Sequence, residues 1–200
     1  MLLSPNSRGG LIGLAAIAFF ILTWGLLTKR WTPGSRSARS EKIKQANAHP
    51  LMRIPVPWVY VFAYLVGVLL QIPWPIRISS PRNALALLVG GLVLVGAGMI
   101  VAFSALGLFR KRGTTTIPFD TPSALVISGP YRFTRNPMYV GLALIYVGVA
   151  MTRAEVWPMV VLPLLLAYVS FEVIPVEERR LHEAFGDRYD EYMRGVRRWL

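Results

Sequence analysis

The chain has 200 residues, 54% of them hydrophobic and 16% charged, more apolar side chain than a soluble domain of this length can cover. Lys and Arg outnumber Asp and Glu by 22 to 10, for a formal charge of +12. Cysteine is absent, which excludes disulfides, thiol nucleophiles and cysteine-ligated metal sites, and with only His49 and His182 present no multi-histidine metal site is expected.

A helix that crosses a bilayer needs about 20 mostly apolar residues. The first candidate, 11–27, is short and uncharged. Lys29 and Arg30 follow it with no small-residue cleavage site, so it is predicted to be a retained anchor. Residues 32–50 are polar, basic and rich in Ser, Pro and Gly, the composition of a linker. Further spans are predicted at 55–74 and 84–109. In the latter, Gly90, Gly91, Gly96 and Gly98 predict close helix packing. Spans at 137–151 and 157–174 are separated by little more than Thr152, Arg153, Ala154 and Glu155, and are expected to form a tight helical hairpin. The expected fold class is therefore all-α, an integral membrane protein with about five transmembrane helices, a cytoplasmic loop and a C-terminal amphipathic helix. Residues 1–54 form an anchor and linker, and 55–200 the main membrane domain.

Basic residues set the orientation. Segments 29–53, 110–135 and 179–198 hold eighteen of the 22, and the opposite face has only Arg8, Arg77, Arg82 and Arg153. The basic side is the cytoplasmic one, so Leu200 is expected inside and the N-terminus outside, with a prokaryotic cytoplasmic membrane as host. Topology thus accounts for the charge, and no nucleic-acid partner is expected.

Two cytoplasmic segments stand out. Residues 110–139 contain four prolines and mix Phe119, Leu125, Val126, Tyr131, Phe133 and Tyr139 with polar groups. A connection this long is expected to be ordered and functional. After Pro175, the positions Leu181, Ala184, Phe185, Tyr189, Tyr192, Val196 and Trp199 recur at helical spacing and predict one amphipathic helix. Glu177 and Glu178 fall in its first turn, where acids also serve as ordinary capping groups. There is no dinucleotide fingerprint, Walker loop or GxSxG elbow.

Gly113, Pro118, Leu125-Val126, GPYRFTRNPMYVG (129–141) and VEERRLHEAFGDRYDEYMRGVRRWL (176–200), taken together, resemble the isoprenylcysteine carboxyl methyltransferase family and related membrane phospholipid methyltransferases. The resemblance covers residues 84–200. It implies an S-adenosylmethionine-dependent methyltransferase with its cofactor at the cytoplasmic helix ends. Carried over by position, the cofactor contacts fall on Leu125, Val126, Tyr131, Asn136, Pro137, Met138, Tyr139 and Glu177. Glu178 is the candidate catalytic group, accepting a proton from an amine acceptor.

The chain departs from the pattern at two positions. Asn136 stands where many relatives have histidine. Val173 stands where enzymes acting on prenylcysteine place an arginine for the substrate carboxylate, and Arg179 and Arg180 are not equivalent to it. The expected acceptor is therefore a phospholipid amine, an isoprenoid-linked carboxylate or a similar lipophilic molecule. A competing expectation is an NADPH-dependent membrane reductase, with Arg110, Lys111 and Arg112 at the cofactor's 2′-phosphate; a third is a non-catalytic protein that keeps the fold.

Overall fold

The computed structural model describes residues 55–78, 80, 82–111 and 124–200. The predicted span at 11–27, the linker at 32–50 and the loop positions Gly113, Pro118 and Phe119 lie outside them. The described chain is helical: α1 (Val56–Leu70), α2 (Ala84–Lys111), α3 (Pro137–Arg153), α4 (Val156–Tyr168), α5 (Ile174–Phe185) and α6 (Asp187–Gly195). A 3-10 turn occupies Gly129–Arg132, and a π turn, Val169–Val173, joins α4 to α5. Among the described residues there is no strand, only an isolated antiparallel bridge between Arg77 and Glu155.

Ala84–Phe109 and the continuous helix Val156–Phe185 are long and apolar enough to cross a bilayer, while Val56–Leu70 and Pro137–Arg153 are apolar but shorter. Leu85, Val93, Ile100, Leu164 and Phe171 are exposed, each by more than 60%. So much outward apolar surface suits lipid contact. The protein is a membrane protein.

Helix pairing differs from the expected hairpin. α3 and α4 are joined by the predicted tight turn, with Ala154 at φ 52°. They nevertheless meet over only a short stretch; α3 packs along α2, and α4 packs against α1. Small residues decide this, because backbones approach most closely where no Cβ intervenes. A Cβ on Gly98 would lie 2.5 Å from the Gly141 carbonyl oxygen, and one on Gly91 2.6 Å from that of Gly148. On the other pair, a Cβ on Gly67 would lie 2.6 Å from Pro158 Cα. The packing role expected of the glycines in α2 therefore belongs to Gly91 and Gly98. Gly96 faces open space.

At the end of the bundle away from α5, Glu155 is 2% exposed and ties three segments together. Tyr64 Oη donates to its Oε2 at 3.1 Å and Arg153 Nε to its Oε1 at 2.8 Å, while Trp157 Nε1 donates to the Trp74 carbonyl at 2.6 Å.

The opposite end is shaped by two backbone irregularities. Pro175 has no N–H, and its ring crowds the carbonyl four residues back. The ladder widens there, and Ile174 N–H bonds the Val169 carbonyl five residues back. Beyond it, the single amphipathic helix expected from the spacing is two helices. Gly186 adopts φ 51°, ψ −128°, a conformation open to glycine, and the chain turns between α5 and α6. After Gly195, Val196 is extended (φ −130°, ψ 132°), so Trp199 does not continue the helical face.

Candidate functional site

Residues 125–127 run without regular structure, burying Val126 and exposing Ile127. The 3-10 turn follows, entered through Gly129 at φ 61°. It plants Tyr131 in an apolar cluster with Ala105, Val126, Leu108, Phe109 and Met138. The Tyr131 ring meets Phe109 edge-on, centroids 5.5 Å apart. Burial pushes the Tyr131 phenol well above its ordinary pKa, and the nearby Glu177 carboxylate adds to the effect. From the tail, Tyr192 Oη donates to the Tyr131 carbonyl at 2.7 Å. Burial raises the Tyr192 phenol to about 12, so this donor keeps its proton at neutral pH.

Pro137 opens α3 with its φ already suited to a helix. The Asn136 carbonyl accepts the amides of Tyr139 and Val140, each at 3.1 Å. That first turn aims Tyr139 at α5, where its Oη donates to Glu177 Oε1 at 2.5 Å. Tyr60 of α1 donates to the Tyr139 carbonyl at 3.2 Å. Val126, Tyr131 and Tyr139, all buried, therefore come together with the half-buried Met138 and Glu177, although they lie far apart in sequence. Leu125 borders this group, half-buried.

Glu178 serves a different neighbourhood. Arg198 Nε and Nη2 donate to its two oxygens at 3.1 and 2.5 Å, and Arg135 Nη2 lies 3.3 Å from Oε1. The backbone of the tail is tied to the same place. Thr134 Oγ1 and Asn136 Nδ2 both donate to the Arg198 carbonyl, at 3.1 and 2.9 Å, and the Arg135 amide donates to the Arg197 carbonyl at 2.9 Å. Trp199 Nε1 donates to Ser170 Oγ at 3.2 Å. The result is a strap: residues 197–199 cross the start of α3 and the π turn, and Glu178 clasps them. The Asn136 side chain belongs to this strap.

Sequence reasoning missed Thr134, Tyr60, Phe109 and Ser170, and counted Arg135 and Arg198 only as topology charges. Arg135 sits inside the motif block at 129–141, which was its one visible signal. Its pairing with a glutamate more than forty positions away has no local signature.

A family model for phospholipid methyltransferases matches residues 86–188, just over half the chain. The chain belongs to the phospholipid methyltransferase family. Membership implies methyltransferase chemistry on lipophilic substrates. No curated protein and no solved structure matches the chain. The segment matched to the phospholipid methyltransferases runs from α2 to the start of α6, so it contains both glutamates, Tyr131 and Tyr139. Tyr60, Tyr192, Arg198 and Trp199, which adjoin the candidate site in this chain, lie outside it.

Proposed function

We propose that this protein transfers a methyl group from S-adenosylmethionine to a lipophilic acceptor, foremost a phospholipid amine, at the cytoplasmic face of a five-span chain whose N-terminus is outside. The observation that carries the reading is the Tyr139–Glu177 contact beside the Val126–Tyr131–Met138 cluster. The donor set fits the cofactor. Glu177 has acceptor capacity left after Tyr139 has donated to it, enough to hold an ammonium. Val126, Leu125 and Met138 offer apolar contact and backbone groups to adenine. The Tyr131 and Tyr139 rings suit a sulfonium through cation–π attraction.

When bound, S-adenosylmethionine supplies an activated methyl on that sulfonium. The chain's own part is proximity and alignment, the main need of an in-line displacement. Tyr139 fixes the Glu177 carboxylate, Tyr131 walls the apolar side, and the strap covers the entrance from water. Both Glu178 oxygens are engaged by guanidinium donors, so Glu178 holds the strap and an amine proton is left to water.

A thermal-shift titration in detergent with S-adenosylhomocysteine and, separately, NADPH tests the proposal. Stabilisation by S-adenosylhomocysteine alone is the expected result. Stabilisation by NADPH alone would replace the methyltransferase with a reductase.

A further inference from the structure

Glu172 is a carboxylate on the apolar helix Val156–Phe185, in the π turn, and it is exposed. It has no hydrogen-bond or ion-pair partner among the described residues. Its neighbours make that exposure unusual. Phe171 is 75% exposed and Leu164 73%, as befits a surface turned to lipid. A charged group there is costly to keep, and ionisable residues kept within membrane helices commonly mark ion or substrate paths. The fold does not require it: the π turn follows from Pro175, and the strap uses Ser170 instead, through Trp199.

Position matters as much as charge. Glu172 lies five residues before Glu177 on a continuous helix, which at about 1.5 Å per residue is on the order of 7 Å along the axis. One end of this stretch holds the candidate cofactor group; the other meets lipid. Glu172 also stands about 140° around the helix from Glu177, on the bilayer side of it, so a lipid headgroup that follows this helix from the bilayer would meet Glu172 before Tyr139 and Glu177. A carboxylate at that point attracts an ammonium and repels a carboxylate or a phosphate monoester.

We infer that Glu172 is a specificity-determining residue that binds the ammonium of an amine-headgroup phospholipid at the lipid-side entrance to the site. The inference rests on the proposed methyl transfer for its purpose, and its test does not depend on that reaction. The protein is held in mixed micelles containing equal phosphatidylethanolamine and phosphatidylglycerol, and the lipids it retains are counted by native mass spectrometry. Wild type should retain phosphatidylethanolamine in preference to phosphatidylglycerol. Glu172→Gln and Glu172→Ser should each reduce that preference by about tenfold, the scale of a lost charged hydrogen bond, and Glu172→Asp should keep it. In phosphatidylethanolamine vesicles, Glu172→Gln should raise KM for the lipid while kcat and S-adenosylhomocysteine affinity stay within about twofold. Equal lipid retention by wild type and both neutral variants would overturn the inference. Loss of S-adenosylhomocysteine binding by both neutral variants would also overturn it, since it would reveal a structural role. A wild type that prefers phosphatidylethanolamine but binds no S-adenosylhomocysteine would leave the inference supported and overturn the methyltransferase reading alone.

Discussion

Glu177 and Glu178 are adjacent acids whose neutralisation should have opposite signatures. Glu177→Gln keeps an acceptor for Tyr139, so the fold should persist, but it removes the charge that would hold a cofactor ammonium. A hydrogen bond to a charged group contributes roughly 1.5–3 kcal/mol, so S-adenosylhomocysteine affinity should fall by about one to two orders of magnitude. Glu178→Gln instead leaves Arg135 and Arg198 without their shared carboxylate. The Arg135 side chain is only 14% exposed, and its Nε has no hydrogen-bond partner among the described residues, so an unpaired guanidinium is poorly tolerated there. Arg198 is 37% exposed, and water recovers much of its loss. After that discount the strap should weaken by about 2 kcal/mol, which raises its open population roughly thirtyfold. Trypsin reports this directly, because Arg194, Arg197 and Arg198 become cleavable when the strap lifts. The expected pattern is an affinity loss with normal proteolysis for Glu177→Gln, and rapid tail cleavage with a smaller affinity loss for Glu178→Gln. Equal, small effects of both substitutions would refute the division of labour and leave the pair as ordinary helix-capping acids.

Two further outcomes follow from the packing. Gly98→Leu should drive a side chain into the Gly141 carbonyl, separate α2 from α3 and cost on the order of 1–3 kcal/mol or more, read as a lower midpoint of thermal unfolding in detergent; an unchanged midpoint would contradict the close approach. Glu155→Ala should leave Tyr64 and Arg153 without their shared acceptor and lower the same midpoint, with the S-adenosylhomocysteine affinity of the surviving folded protein within about twofold of wild type. A selective affinity loss would show that the two ends of the bundle are coupled.

The sequence alone determined the class and named the residues of the candidate site. Apolar runs long enough for a bilayer, at 84–109 and again after residue 155, leave a chain little choice but helix, because in lipid the backbone must satisfy itself. The GPYRFTRNPMYVG block and the Glu-Glu tail carried the family and named Tyr131, Tyr139 and Glu177, since turn chemistry and motif spacing are local properties. Pairing is not local. That α3 sits on α2 rather than on α4 depends on Gly91 and Gly98 meeting Gly148 and Gly141, a match of two surfaces that neither helix shows by itself. Helical periodicity also fails wherever the backbone departs from 3.6 residues per turn. The π turn before Pro175 and the glycine break at Gly186 each reset the faces, so Trp199 left the amphipathic pattern and joined the strap. The difference between Glu177 and Glu178 was likewise decided in space. Successive helical residues point about 100° apart, and tertiary structure put Tyr139 in front of one and two arginines in front of the other.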